Sequence, residues 1–97
     1  MNNEMSLREQ IHYLNEMKTY LEKFCNEMLQ TMNYFQDQIT GLRQEGFSIE
    51  TSETYIQRYY TPAKSDVETV VSDIRKRHID YINRVIERLE RAASKGR

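Results

Sequence analysis

The chain has 97 residues, of which 38% are apolar and 30% charged, and its net charge at pH 7 is −1. This length supports one small domain, and three glycines and one proline are too few turn residues for a fold of many short strands. A single cysteine excludes an internal disulfide. Because no apolar run reaches about 18 residues and the first residues lack a basic and then apolar pattern, we expect no membrane insertion and no secretory signal peptide. These features predict one soluble all-α domain over residues 1–97.

The first predicted element is a long helix over about residues 6–45. Apolar residues recur at alternating spacings of four and three from Leu7 to Leu42, and Lys18 is the break in this pattern. With the apolar residues beside this seam, the apolar face spans about half of the helix circumference. Such a face is wider than one neighbouring helix covers. Gly46 is the expected C-terminal stop of this helix.

A hinge is predicted over residues 46–61, where residues 51–61 form either a short helix or a loop. The last helix is predicted over about residues 62–94. It begins either at Pro62, with a capping threonine before it, or at the capping box that starts at Ser65.

Two long amphipathic helices joined by a hinge are expected to fold into an antiparallel helical hairpin, because each must bury its apolar face. Two helices leave more apolar surface exposed than is usual for a monomer. The sequence therefore predicts a four-helix bundle formed by association, with either a second copy or another helical protein as partner. The predicted partner interface consists of Leu14, Met17, Tyr20, Leu21, Phe24, Met28, Met32, Phe35, Ile39, Tyr55, Tyr59, Val71, Ile74, His78, Ile82, Val85 and Leu89.

Positive charge is concentrated near the C-terminus. Residues 75–97 carry eight basic and three acidic residues, whereas residues 1–74 carry six basic and twelve acidic ones. The basic residues beside the apolar face of the last helix form one stripe, which consists of Arg77, Arg84, Arg88, Arg91 and Lys95. Such a stripe could neutralise nucleic-acid phosphates. In a hairpin it would instead lie beside the acidic N-terminal half of the first helix, which makes nucleic-acid binding the less favoured alternative.

Few residues are candidates for chemistry. Cys25 occupies a core heptad position, which favours packing over a nucleophilic role. Glu9 and His12 have the spacing of ligands in di-iron bundles, with Glu16 one turn later, but they point away from the apolar face. His78 lies on the apolar face, where packing is expected and a pH-sensitive contact is the alternative. We therefore predict no metal, no cofactor, no catalytic residue and no enzymatic activity.

Seven tyrosines give the chain its aromatic character. Three of them occupy one heptad position of the first helix, and three crowd the hinge; these are Tyr13, Tyr20 and Tyr34, and Tyr55, Tyr59 and Tyr60. Tyrosine suits half-hydrated interfaces. Two interpretations remain open, namely packing at the margin of a bundle and a partner-binding surface anchored by the rings.

Two long helices, a central turn at Glu45 and Gly46, and an aromatic segment with Tyr55 and Tyr59 make the chain resemble the WXG superfamily of type VII secretion in architecture. The tryptophan of the Trp-x-Gly turn is absent, and no tyrosine is followed four residues later by Asp or Glu, as the export motif of that family requires. The resemblance implies a cytoplasmic protein, or one secreted without a signal peptide, that dimerises into a four-helix bundle. It also implies a role as the partner or targeting chaperone of a larger secreted effector. A homo-oligomeric structural or adaptor protein is the alternative.

Overall fold

The computed structural model describes residues 5–95, of which 93% are helical, and no strand occurs among them. The all-α prediction is confirmed. The helices are α1 (Leu7–Gln44), α2 (Ile49–Tyr55), α3 (Thr61–Asp73) and α4 (Ile79–Lys95), with π-helical turns at Ile56–Tyr60 and Ile74–His78. Because no other residues separate these last elements, a second long helical run covers residues 49–95. None of the described helices is long and apolar enough to cross a membrane.

Side chains and backbone geometry define both ends of α1. At its start the Ser6 hydroxyl caps the helix, because its oxygen accepts a hydrogen bond from the Glu9 N–H at 3.1 Å. The same hydroxyl donates to Glu9 Oε1 at 3.2 Å. At its end the Phe47 N–H donates to the Leu42 carbonyl at 3.1 Å, and Gly46 has φ +100°. This is a Schellman motif, in which glycine supplies the left-handed residue. The predicted stop at Gly46 is therefore confirmed.

The turn after α1 is shorter than the predicted hinge of residues 46–61. Ser48 caps α2, because its hydroxyl oxygen accepts a hydrogen bond from the Thr51 N–H at 3.1 Å. Helix therefore begins at Ile49, and the segment 51–61, for which helix and loop were both open, is helical throughout.

The first π-helical turn explains how the second helical run continues past Pro62. In the first turn the Thr61 N–H donates to the Ile56 carbonyl, one residue further back than in an α-helix. This widening directly precedes Pro62, which has no N–H to donate and whose ring crowds the preceding turn. The helix thus continues through the position where the sequence predicted a helix start.

The second π-helical turn shifts the register of the last helix by about one residue. The Ile79 N–H donates to the Ile74 carbonyl, and the buried positions after it are Ile79, Ile82 and Ile86. The sequence pattern had placed His78 and Val85 on the seam instead. Because each π-helical turn takes in an extra residue, side chains beyond it rotate relative to a continuous α-helix.

The chain divides into two compact units. The central unit is residues 25–72, and the terminal unit comprises, within the described chain, residues 5–24 and 73–95. In the central unit the two helical segments run antiparallel, since Tyr60 contacts Met32 and Ser52 contacts Arg43. The core of the central unit consists of Met32, Ile39 and Tyr60, with Phe35, Ile56, Ala63 and Val67 packed against it.

Candidate partner-binding groove

The central unit buries much of its own apolar surface. The Tyr60 hydroxyl lies 3.1 Å from the Met32 carbonyl oxygen and 3.3 Å from Gln36 Oε1, so its polar end is satisfied inside the protein. The ring of Tyr60 packs edge-on against Phe35, with centroids 5.4 Å apart. Ile39 is only 2% exposed. Together these contacts fix the pairing of α1 with the helical run that follows it in this unit.

Part of the predicted partner interface therefore lies inside the protein. Met32, Ile39 and Val71 are buried, and Phe35 is half-buried against Tyr60. Ile82, at 7% exposure, is a fourth buried member of the predicted interface. Whether any of the four contacts a partner stays a prediction. The heptad pattern identifies residues that are covered but does not distinguish coverage by the same chain from coverage by another.

The terminal unit is different, because an apolar groove of about 810 Å³ opens on its surface. Both helical segments of the unit line it. Its lining consists of Met5, Gln10, Tyr13, Leu14, Met17 and Leu21 from the N-terminal segment, and of Arg77, His78, Tyr81, Ile82, Val85 and Leu89 from the C-terminal segment. Three of the apolar lining residues stay largely exposed, at 55% for Tyr13, 51% for Met17 and 63% for Tyr81. The groove is thus an apolar surface left open to solvent.

The groove contains seven residues of the predicted interface: Leu14, Met17, Leu21, His78, Ile82, Val85 and Leu89. Two others, Tyr20 and Phe24, lie on the same unit, are exposed and stack with ring centroids 6.4 Å apart. The sequence prediction thus selected much of the surface that the structure brings together.

The remaining predicted residues lie elsewhere. Tyr55 and Tyr59 are exposed in the central unit, and their rings lie 5.5 Å apart. Met28 and Ile74 are half-buried. These four do not line the groove.

Five groove residues were missing from the predicted interface: Met5, Gln10, Arg77, and the two exposed tyrosines Tyr13 and Tyr81. Tyr13 lies four residues before Met17, and Tyr81 lies four before Val85, so each shares a helix side with a predicted residue. That spacing was the signal that could have identified them. The buried residues Ile79 and Ile86 were missed for another reason, since a continuous α-helical period places them off the seam.

Polar residues at the edges of the unit are paired within it. Lys18, the break in the heptad pattern, donates from Nζ to Asn83 Oδ1 at 3.2 Å in a partly buried contact. This contact joins the two segments at one register, as single polar residues do in helical seams. His78 is exposed rather than packed, and its Nε2 lies 3.4 Å from Asp73 Oδ2.

Three arginines of the predicted basic stripe pair with acidic residues one turn earlier on the same helical run. Arg84 Nη2 lies 2.9 Å from Asp80 Oδ2, and Arg77 Nη1 lies 3.1 Å from Asp73 Oδ1. Arg91 pairs with the glutamate four residues before it at 3.7 Å. These exposed pairs divide the stripe into charge pairs and weaken it as a track for phosphates. Arg97, which contributes to the C-terminal basic excess, lies outside the described residues.

The described residues offer no built chemical site. Cys25 is fully buried at 0% exposure, which agrees with a packing role. His12 Nε2 pairs with Glu16 Oε1 at 3.1 Å on the surface. Among residues 5–95, no group of three or more histidine, cysteine, aspartate or glutamate side chains is placed to hold a metal ion.

No protein-family model, curated protein or solved structure matches this chain. The geometry of the groove is therefore the observation that indicates a function.

Proposed function

We propose that this protein is a non-enzymatic helical interaction protein whose terminal unit binds a helical partner in its apolar groove. The observation that carries the proposal is the groove itself, which two helical segments line with aliphatic and aromatic side chains. A groove between two helices accepts the apolar face of an amphipathic helix. Addition of partner helices there completes a bundle of the four-helix kind.

The composition of the groove supports a protein partner. Tyr13 and Tyr81 present large apolar rings with a polar end that remains hydrated, as is typical of residues that anchor interfaces. Met17 adds a flexible side chain that adapts to the shape of a partner. By contrast, the carboxylates of Asp73, Asp80 and Glu87 lie one turn before the stripe arginines and interrupt the positive charge that nucleic-acid phosphates would need.

The resemblance to the WXG superfamily suggests the biological role of such a protein. By that resemblance, the chain is a cytoplasmic partner or targeting chaperone that pairs with a helical region of a larger secreted effector. The second candidate is a homo-oligomeric structural or adaptor protein, which the distribution of charge beside the groove favours.

The proposal is tested by changing one exposed groove residue and one matched residue elsewhere. Tyr81→Glu places a charge in the groove, and Tyr34→Glu makes the same change in the central unit, at nearly equal exposure of 63% and 65%. Each tagged variant is captured from the source cells after crosslinking, and its complexes are compared by mass with those of the unchanged chain. We expect Tyr34→Glu to retain the complexes and Tyr81→Glu to lose them, with equal helicity by circular dichroism. Retention by both variants would contradict a role for the groove.

A further inference from the structure

We propose that the groove is occupied by the same groove of a second copy of this chain, with the α1 segment of each copy beside α4 of the other. This inference rests on the proposed function, because it names the partner that the groove binds. It follows from the charges beside the groove, which are acidic on the α1 side and basic on the α4 side.

The acidic side follows from the residues around Tyr13. Glu9 and Glu16 lie four residues before and three residues after Tyr13, so all three share one side of α1. Tyr13 lines the groove and is largely exposed, whereas Leu14 and Leu21 are half-buried toward the other segment of the unit. The two carboxylates therefore lie along the outer edge of the groove. This edge, defined by Glu9 and Glu16, is the acidic edge.

The basic side is built in the same way around Tyr81. Arg77 lines the groove itself, Arg84 lies three residues after Tyr81, and Arg88 lies three residues after Val85. The opposite side of α4 is buried in the unit through its isoleucines. Arg84 and Arg88 thus follow the outer edge of the groove that faces away from α1. This edge, defined by Arg77, Arg84 and Arg88, is the basic edge.

Two symmetric arrangements would bring the groove of one copy onto that of another. In one, α1 lies beside α1 and α4 beside α4, so acidic edges meet each other and basic edges meet each other. In the other, α1 of each copy lies beside α4 of its partner, so each acidic edge meets one basic edge and the dimer contains two such contacts. Like charges at a contact cost association free energy, whereas opposite charges favour encounter and fix the register. The charges therefore select the second arrangement, which is an isologous four-helix contact.

The ion pairs already present do not oppose this arrangement. The side chains of Arg84 and Asp80 are 74% and 49% exposed, and those of His12 and Glu16 are 64% and 62% exposed. Exposed pairs of this kind contribute little and rearrange readily. The apolar lining supplies the burial in the complex, and the charged edges decide which helix lies beside which.

The test uses the full chain and reversals of each edge. The acidic-edge variant is Glu9→Lys with Glu16→Lys, the basic-edge variant is Arg84→Glu with Arg88→Glu, and the combined variant carries all four changes. Sedimentation equilibrium measures the dissociation constant of each. We expect the unchanged chain to dimerise and each single-edge variant to dimerise at least about tenfold more weakly. The combined variant and an equimolar mixture of the two single-edge variants should recover dimerisation, because acidic and basic edges again meet.

Matched reversals on exposed residues outside the groove lining serve as controls, and these are Glu22→Lys and Lys76→Glu. They should leave the dissociation constant within about twofold of the original. Circular dichroism checks that each variant keeps its helicity. If a reversal lowers helicity, Arg84→Gln with Arg88→Gln replaces the basic-edge variant, and it should weaken dimerisation less than reversal would.

Three results would overturn the inference, and each bears differently on the proposed function. In the first result, the unchanged chain is a monomer in sedimentation, but Tyr81→Glu still removes a captured partner. The occupant of the groove is then a different helical chain, and the proposed function stands. A dimer that Tyr81→Glu breaks but edge reversal leaves intact shows that the copies adopt another arrangement. A dimer unaffected by Tyr81→Glu, with captured complexes also unchanged, overturns both proposals.

Discussion

The central and terminal units bury the same kind of apolar repeat in two different ways. In the central unit, Ile39 of α1 is covered by Tyr60 and its neighbours from the same chain. In the terminal unit, the α1 residues Leu14 and Met17 line an open groove although they belong to the same heptad pattern or lie beside it. Helix α1 therefore contributes core residues to the central unit and exposed groove residues to the terminal unit.

The difference teaches that the width of an apolar face matters as much as its period. A face that spans about half of a helix needs more than one neighbouring helix to be covered. Tyr60 fills that need locally in the central unit, because its ring is large and its hydroxyl is satisfied by Met32 and Gln36. In the terminal unit, Ile79, Ile82 and Ile86 are buried while the adjacent side of α4 contributes to the open groove.

The strongest test of this contrast is a charge in the core of the central unit. Ile39→Asp should lower the free energy of unfolding by about 4 kcal/mol or more, because a carboxylate there loses water without gaining a partner. Urea unfolding followed by circular dichroism measures this effect. Tyr34→Asp, on an exposed residue of the same helix, should change stability by less than about 0.5 kcal/mol. Equal stability of Ile39→Asp and the unchanged chain would show that the core is assigned to the wrong residues.

A smaller effect is expected at Tyr60, which covers the core of the central unit. Tyr60→Ala should cost about 3–4 kcal/mol, because it removes a buried ring and leaves a cavity. Tyr60→Phe should cost about 1 kcal/mol, since only the hydroxyl contact is lost. Tyr59→Ala changes an exposed neighbour and should cost less than either substitution. Thermal or urea unfolding of the three variants gives this order, and a larger loss for Tyr59→Ala would reverse the assignment.

Two glycines at the end of α1, one inside the helix and one in the turn after it, should respond to alanine substitution with opposite changes in stability. Gly46→Ala should destabilise by about 1 kcal/mol, because φ +100° strains a residue with a Cβ. Gly41→Ala should stabilise by about 0.5–1 kcal/mol, since it lies inside α1 and an added Cβ meets nothing within 4 Å. Paired urea curves check the signs, and the same sign for both substitutions would contradict the Schellman turn.

The smallest effect on folding is expected in the groove. Met17→Glu should change the free energy of unfolding by less than about 0.5 kcal/mol, because the side chain is 51% exposed. The measurement is urea unfolding at a chain concentration low enough for the monomer, since association adds apparent stability. At high concentration the same variant should lose the added stability that the unchanged chain gains. A large loss in the monomer would mean that the groove belongs to the folding core.

The sequence allowed accurate prediction where the cause was local. The glycine after α1 and the absence of glycine and proline over residues 7–40 determine one long helix with ends close to those predicted. Ser6 caps its first turn. The shortness of the turn was missed, although Ser48 was available as a cap. Several candidate caps compete in the segment that follows Gly46, and local propensity does not rank them.

The sequence predicted only part of the groove lining, because the choice of residues depended on the rotational phase of the last helix. The apolar spacing of four and four between Ile74 and Ile82 predicts a stutter in the heptad pattern with His78 on the seam. The structure has a π-helical turn at Ile74–His78 instead. Ile79 and Ile86 then become buried, while Val85 and Leu89 line the groove. A repeat spacing shows which residues can share a side, but a single inserted residue in the backbone decides which side faces the neighbouring helix.

The sequence by itself determined that the chain is helical, that its apolar residues form long faces, and that positive charge gathers at its C-terminal end. These properties follow from residue type and spacing along one chain. Only the tertiary structure decided that Tyr60 closes the core of the central unit and that the terminal unit keeps an open groove. The reason is physical, because burial depends on which side chains from distant parts of the chain meet, and that depends on helix phase and side-chain size together.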